Sequence, residues 1–291
     1  MPPSNRMPTQ LRHYLADVAQ QLTRAGVDNP ALCARLLAGH ALGYDSLRCV
    51  LNANQELTPS QLTALNELTS RRATGEPMAH ILGCREFYGR SFFVTPQTLI
   101  PRPETELLVE TALARLTARP LHFADMGTGC GCIGITLALE RPRWKGVLAD
   151  NSAPALAVAK DNARALNAAQ RLACVLADMR AAPLATNAFD LLVSNPPYIR
   201  ECDRALVMDE VLRFEPRTAL FSPDNGLAHL RAVCGLAAKC LKDGGLLLLE
   251  HSAEQGEQVR NLLAETGIFE NIGTSRDLAG LERCTSGKKL A

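Results

Sequence analysis

The chain has 291 residues, with 31 basic and 30 acidic side chains, a formal net charge of +1 and a hydrophobic fraction of 47%. This length predicts two domains at about 150 residues each, and the composition is typical of a soluble globular protein. The balance of charge argues against nucleic acid as the main partner, because nonspecific binders carry a basic excess. No apolar segment approaches the roughly 20 residues that cross a bilayer, and the N-terminus lacks a signal-peptide core, so we expect a cytoplasmic protein without a membrane partner.

The first part of the chain has the apolar spacing of helices. Between Thr9 and Gly75 apolar residues recur at intervals of three and four, beginning with Leu11, Tyr14, Leu15, Val18 and Leu22. Asn29-Pro30 and Thr58-Pro59 have the pattern of an N-cap followed by proline at the first helical position. We therefore predict an all-helical domain over residues 1–84. It contains no catalytic cluster, which favours a role in substrate docking.

The periodicity changes near residue 84. In the segment CREFYGRSFFVT, strand-forming aromatic residues flank Gly89, which predicts a β-hairpin linker over residues 85–98. The next segment, LIPRPETELLVETALARL, is interpreted as a loop followed by an amphipathic helix. It begins a second predicted domain over residues 99–291.

Strands and helices alternate along this second domain. The predicted strands cover 121–126, 145–150, 171–177, 189–194, 245–251 and a weaker C-terminal pair. The predicted helices lie near 130–140, 153–166, 226–241 and 254–266. The alternation predicts an α/β fold with a doubly wound, mostly parallel, Rossmann-like sheet, in which ligands bind beyond the carboxyl ends of the strands.

The turn after the first of these strands is rich in glycine. In FADMGTGCGCIG, Asp125 is followed by Gly127, Gly129 and Gly131, a spacing that lets a ligand approach the backbone near a helix N-terminus. The segment also satisfies GxGxxG, and Asp150 follows at the end of the next strand, so a nicotinamide cofactor is formally allowed. The early start of the glycines favours a methionine-plus-adenosine ligand, and a tight turn without a ligand is the third alternative.

The cysteines do not predict a metal site. All ten are scattered, none forms a CxxC pair, and the one close pair, Cys130 and Cys132, lies in the glycine-rich turn. Structural zinc normally requires paired Cys or His ligands at short spacing. We therefore expect free thiols and no metal.

The stretch LLVSNPPYIR runs a buried-strand pattern into two prolines and a tyrosine. The prolines have a simple structural explanation, because proline donates no hydrogen bond to a sheet ladder and ends a strand. A functional explanation depends on the surrounding segments.

Those segments resemble a known family. DMGTGCGCIG, ADNS and SNPPYI are similar to the motifs of class I S-adenosylmethionine-dependent methyltransferases that modify amide or amine nitrogen. GEPMAHILGCREFYGRSFFVTPQTLIPRPETELLVE, above all its IPRPETE stretch at Ile100–Glu106, narrows the resemblance to the release-factor glutamine N5-methyltransferases, the HemK/PrmC family. The resemblance extends from about residue 9 to the C-terminus, with Glu104 where an aspartate is frequent.

The resemblance implies S-adenosylmethionine as the cofactor. The residues implied for its methionine and adenosine portions are Gly127, Thr128, Gly129, Cys130 and Gly131. Asp150 would hold the ribose, and of the adjacent Asp178 and Met179 we favour Met179 for the adenine, since a thioether packs well on a ring. Asn195 is expected to contact the cofactor as well as the substrate.

The implied substrate is a class I peptide chain release factor, with the glutamine of its Gly-Gly-Gln loop as acceptor. The residues implied to bind that glutamine are Asn195, Pro196, Pro197 and Tyr198. An amide nitrogen is a poor nucleophile, so the Asn195 oxygen and the Pro196 carbonyl would accept hydrogen bonds from its NH2 group and favour positive charge on nitrogen, while Tyr198 supplies a flat wall. No general base is required at the outset, and the roles of Glu250 and His251 stay open.

Several alternatives remain at this point. A methyltransferase of a ribosomal-protein glutamine is the nearest, and an adenine N6-methyltransferase acting on a flipped base shares the Asn-Pro-Pro-Tyr motif but should carry a basic recognition region. A noncatalytic cofactor-binding adaptor is the rival from another class, and an oxidoreductase is the weakest. We expect a monomer without a nucleic-acid partner.

Overall fold

The computed structural model describes residues 9–291. They form two compact units. The first contains the described residues up to Gly83 together with Asp209–Phe214, and the second contains Cys84–Met208 and Glu215–Ala291. Within residues 9–291, no helix is both long and apolar enough to cross a membrane.

The helices and strands follow the predicted succession. In chain order, the helices are α1 (Leu11–Arg24), α2 (Pro30–Leu42), α3 (Ser46–Leu51), α4 (Pro59–Ala73), α5 (Met78–Leu82), α6 (Glu106–Arg115), α7 (Cys132–Glu140), α8 (Ala153–Ala165), α9 (Asp209–Phe214), α10 (Ala228–Cys240) and α11 (Gly256–Glu265). The strands are β1 (Cys84–Phe87), β2 (Arg90–Phe93), β3 (His122–Met126), β4 (Lys145–Asp150), β5 (Leu172–Leu176), β6 (Phe189–Ser194), β7 (Leu241–Glu250), β8 (Phe269–Arg276) and β9 (Glu282–Lys289).

The first unit is helical, as the spacing of its apolar residues predicts. Helix α1 buries Leu11, Tyr14, Val18 and Leu22 on one face, and these join a core contributed by α2 and α4. The unit also contains α9, whose Glu210 forms an ion pair with the nearly buried Arg72 of α4 at 2.6 Å. A segment from the middle of the chain therefore completes a unit that is otherwise N-terminal.

Both predicted N-cap positions are confirmed, but only one of the two residues caps its helix with a side-chain hydrogen bond. Thr58 and Gln61 form a reciprocal capping box at the start of α4. Helix α2 does begin at Pro30, but Asn29 has a left-handed backbone conformation with φ of 50° and its side chain makes no capping hydrogen bond. The Asn29 carbonyl instead accepts hydrogen bonds from Leu32 and Cys33, both at 3.0 Å.

The second unit is built on a seven-stranded sheet with the order β5-β4-β3-β6-β7-β9-β8. Strands β3 to β7 are mutually parallel, and the antiparallel β9 and β8 complete one edge. This confirms the predicted mostly parallel Rossmann-like fold. The direction of strand order reverses at β3, which lies between β4 and β6, so the carboxyl ends of these three strands border the crevice where such sheets bind ligands.

The predicted hairpin is also present. Strands β1 and β2 pair in antiparallel register, and Tyr88 and Gly89 between them both have positive φ, as a two-residue type I′ turn requires. The Asn162 side chain of α8 bonds both backbone groups of Phe93 and donates to the Cys130 carbonyl at 2.8 Å. The hairpin is therefore fastened to the glycine-rich turn through one buried amide.

Candidate active site

The glycine-rich turn joins the end of β3 to the start of α7 and requires its glycines. Gly127, Gly129 and Gly131 all have positive φ, which side chains rarely adopt. A Cβ on Gly127 would also lie 3.3 Å from the Met179 Cε atom, and one on Gly131 would lie 2.6 Å from Ile135 Cδ1. The bare backbone of this turn therefore forms part of the wall of a cavity in the second unit, which Thr105, Asp150 and Asn195 also line.

Asp125, the carboxylate before the turn, is fully buried beneath it. Its Oδ2 atom accepts hydrogen bonds from the Thr128 hydroxyl at 2.6 Å and the Gly134 backbone N–H at 3.0 Å. Burial raises the pKa of Asp125 to about 6, and these two hydrogen bonds oppose the rise. Asp125 thus connects the turn to the first turn of α7 instead of facing the cavity.

Asp150 ends the neighbouring strand β4 and lines the cavity. Its two carboxylate oxygens accept hydrogen bonds from the backbone N–H groups of Gly129 and Ser152, each at 2.9 Å. Burial raises the pKa of Asp150, and these backbone hydrogen bonds oppose the rise. Each carboxylate oxygen keeps a further lone pair, so the group is oriented to accept from a pair of hydroxyls such as those of a ribose.

The two residues considered for the adenine point in different directions. Met179 lines the cavity. Asp178 is bound by the exposed Arg180 side chain, whose hydrogen bonds lower the pKa of Asp178 to about 2. Of this adjacent pair, Met179 is therefore the side chain available to a ligand in the cavity.

Asn195 follows the end of β6 and lies on the same cavity as Gly127 and Asp150. Its side-chain nitrogen donates to the Thr105 hydroxyl at 3.1 Å. Pro196 is buried and Pro197 is a further part of the cavity wall. The ends of β3, β4 and β6 thus bring the glycine-rich turn, Asp150 and the Asn-Pro-Pro segment together.

Tyr198 lines a different pocket from Asn195 and Pro197, with which it was predicted to act. Its hydroxyl donates to Glu250 Oε1 at 3.3 Å, and the residue lines a neighbouring pocket together with Ile199 and Arg200. Burial raises the pKa of Tyr198 well above its usual value. His251, next to Glu250, bonds the Ser252 carbonyl and the Thr285 hydroxyl, both at 2.8 Å, so it is a buried structural residue of the strand end.

Sequence reasoning assigned no role to a set of cavity residues in the IPRPETE segment. Pro101, Arg102 and Thr105 line the cavity. The segment is held by Glu215, which accepts hydrogen bonds from the Ile100 backbone N–H at 2.9 Å and from the Arg102 guanidinium at 2.5 Å. The signal for these residues was the segment itself, which distinguished the family without indicating what each residue does.

The described residues offer no evident metal site. All ten cysteines are free thiols, and in residues 9–291 no three His, Cys, Asp or Glu side chains are arranged to hold an ion.

Comparison with known proteins yields matches along nearly the whole chain. Residues 13–83 match the family model of the PrmC N-terminal domain, and residues 103–217 match that of the methyltransferase small domain. A release factor glutamine methyltransferase of Nitratidesulfovibrio vulgaris is 43% identical over 284 residues, which covers 97% of this chain and 96% of the relative. Proteins of the same name are 44% identical over 259 residues in Bordetella pertussis, covering 89% and 94%, and 39% identical over 279 residues in Escherichia coli, covering 96% and 99%.

Proposed function

The chain belongs to the release factor glutamine methyltransferase family, and we propose on this basis that it methylates the side-chain N5 of the glutamine in the Gly-Gly-Gln loop of class I peptide chain release factors. The observation that carries the proposal is the identity of 39% to 44% with relatives of that name over nearly the full chain. The helical N-terminal region matches one family model and the methyltransferase region matches another. The similarity therefore includes the part of the chain to which we assign docking.

The methyl donor is S-adenosylmethionine, which supplies an electrophilic methyl group that leaves its sulfonium when the acceptor nitrogen attacks. The cavity suits such a ligand, because any side chain on Gly127 would crowd it and because Asp150 is pre-oriented by two backbone N–H groups. We assign the methionine and adenosine portions to Gly127 through Gly131, with Thr128 and Cys130 included. Asp150 would accept from the ribose hydroxyls and Met179 would pack on the adenine.

The acceptor amide needs orientation more than it needs a base. We assign the Asn195 oxygen and the Pro196 carbonyl as acceptors for the two hydrogens of the glutamine NH2 group. As the nitrogen lone pair forms the new N–C bond, positive charge grows on nitrogen, and these two fixed oxygens stabilise it. The proton then leaves the methylated nitrogen to solvent. Pro197 restricts the backbone of this segment.

Tyr198 retains its proposed place beside the glutamine, but its contact with Glu250 suggests a second role. By bonding that carboxylate, Tyr198 connects the Asn-Pro-Pro-Tyr segment to the end of β7. We propose further that residues 1–84 form the domain that docks the release factor, that residues 85–98 form the hairpin linker and that residues 99–291 form the catalytic domain. The proposed state is a cytoplasmic monomer.

The test is methyl transfer to a purified release factor. The protein is incubated with labelled S-adenosylmethionine and either a class I release factor or its Gln→Ala variant in the Gly-Gly-Gln loop. We expect label in the first substrate and none in the second. Label in both, or in neither, would contradict the proposal, and a parallel arm with ribosomal proteins and adenine-containing DNA would reveal either alternative substrate.

A further inference from the structure

The sheet anchors the amino end of the Asn-Pro-Pro-Tyr segment. Ser194, the residue before Asn195, ends β6 and pairs in register with Met126 of β3 and Leu249 of β7. Its hydroxyl also donates to the Met126 carbonyl at 2.6 Å. The segment therefore begins from a fixed point at the end of a central strand.

The carboxyl end of the segment is held by Gln255, which lies in the short 3-10 turn Ala253–Gln255 that leads into α11. The Gln255 side-chain Nε2 donates to the Tyr198 backbone carbonyl at 3.0 Å, and its Oε1 accepts from the Ser252 backbone N–H at 3.1 Å. The residue is only 4% exposed. Rotating the amide by half a turn would set its oxygen against the carbonyl and its NH2 group against the N–H, so the amide is held in one orientation.

The loop before α10 shields this hydrogen bond. Gly226 has a φ of 84°, and a Cβ there would lie 2.3 Å from the Tyr198 carbonyl oxygen and 2.6 Å from Gln255 Nε2. The bare backbone of Gly226 therefore packs against both atoms of the bond. Close packing on this side keeps water from competing for the carbonyl.

The Tyr198 ring and the residue after it are held by other groups. The Tyr198 hydroxyl donates to Glu250 Oε1 at 3.3 Å. The Ile199 backbone N–H donates to the Leu220 carbonyl at 3.0 Å, and the Ile199 carbonyl accepts from the Ser222 N–H at 2.9 Å. Gln255 is the side chain that holds the peptide carbonyl of Tyr198 itself.

The two prolines between these anchors keep one variable backbone torsion each. Proline fixes φ but leaves ψ free, and the ψ angle of Pro196 decides where its carbonyl points. With Ser194 and Tyr198 both held, the two ψ angles cannot change independently. If the anchor at Tyr198 is lost, the Pro196 carbonyl can move, and misplacing a group by about 1 Å can cost about 100-fold in rate.

We propose that Gln255 is a positioning residue that fixes the carboxyl end of the Asn-Pro-Pro-Tyr segment and thereby aims the Pro196 carbonyl at the acceptor amide. The inference rests on the proposed function and deepens it. It assigns part of the orientation of the acceptor to a residue at the start of α11, outside the motif that contacts the substrate.

The first test compares Gln255→Glu with Gln255→Met in methyl transfer to a purified release factor. A glutamate carboxylate has no hydrogen for the Tyr198 carbonyl, and methionine has neither donor nor acceptor at that place. We expect kcat to fall about tenfold in both variants, while the cofactor Kd measured by calorimetry stays within about twofold. The methionine variant keeps the test valid if the buried carboxylate prevents folding.

Gln255→Glu also separates positioning from helix capping. Gln255 accepts from the N–H of Ser252 three residues earlier, which is the contact that glutamate commonly makes in a capping box. A residue that served only as this cap would be replaced by glutamate with wild-type kcat. The matched control is Gln258→Glu, which makes the same chemical change at an exposed position of α11 and should retain wild-type kcat.

The inference is overturned if Gln255→Glu or Gln255→Met has a kcat within about twofold of wild type. It is also overturned if cofactor Kd weakens by the same factor as kcat falls, because the substitution would then disturb the whole cavity. Failure of the proposed function is distinct from both outcomes, since it appears as absence of transfer by the wild-type protein to the same release factor.

Discussion

Replacing Glu215 with alanine should release the IPRPETE segment from the cavity wall. The Glu215 side chain is 1% exposed, whereas that of its partner Arg102 is 32% exposed. The substitution removes a 2.5 Å ion pair and leaves the buried Ile100 backbone N–H without its 2.9 Å acceptor. Hydrogen bonds to charged groups contribute about 1.5–3 kcal/mol each, and because Arg102 is partly solvated we expect a total near the lower limit, about 3 kcal/mol.

This cost should appear as local opening of the segment. A loss of about 3 kcal/mol corresponds to about 100-fold more frequent opening, which hydrogen exchange at the Ile100 amide measures directly. Since Pro101, Arg102 and Thr105 line the cavity, KM for the cofactor should rise and kcat should fall. Glu215→Gln, which keeps an acceptor but loses the charge, should give an intermediate result.

The matched control is Glu270→Ala. Glu270 forms an ion pair with Lys288 at 3.5 Å, and both side chains are more than two-fifths exposed, at 43% and 49%. Exposed pairs contribute about 0.5 kcal/mol, so this variant should leave Ile100 exchange unchanged. The reasoning is refuted if Glu215→Ala leaves Ile100 protection intact, or if Glu270→Ala opens the segment equally.

Three further substitutions test the site. Asn195→Ala should reduce methyl transfer by about 100-fold or more with much less change in cofactor affinity, and near-normal turnover would contradict its role. Asp150→Asn should weaken cofactor binding by about tenfold or more in calorimetry, because its NH2 group would face a backbone N–H, and an unchanged Kd would exclude Asp150 as the ribose ligand. The folded-state pKa of Glu250 is raised from 4.5 to about 7. The free energy of unfolding of the wild-type protein should therefore fall as pH rises through that range, because the buried carboxyl must ionise. Glu250→Gln should therefore gain up to about 3 kcal/mol relative to wild type between about pH 5 and pH 8 in urea unfolding, and a difference independent of pH would contradict this.

Local patterns were sufficient for the features that lie at strand ends. Alternating strands and helices predicted the parallel sheet, and a parallel sheet places the carboxyl ends of its strands at one edge. The family resemblance assigned Gly127, Asp150 and Asn195 to one site, and the predicted sheet is consistent with this assignment because all three follow or end its strands although long stretches of sequence separate them. Their presence on one cavity follows from the strand order.

The remaining site residues depend on contacts that no local pattern encodes. Glu215 holds a segment more than a hundred positions earlier in the chain, and Thr105 meets Asn195 only because the loop before α6 reaches the end of β6. At Asn29 the limit was a local one: Asn-Pro predicted where α2 begins, but not that Asn29 would be left-handed and leave its side chain out of the cap.

Asp125 and Asp150 explain why a turn rich in flexible glycines keeps a fixed shape. Asp125 holds the turn from beneath through Thr128 and Gly134, and Asp150 holds it from the adjacent strand through Gly129. Three positive-φ glycines would be costly to order at each binding event, since glycine loses the most conformational freedom. Because both carboxylates are bonded to the turn before any ligand arrives, that cost is incurred in folding, and the contacts with the cofactor are available for affinity.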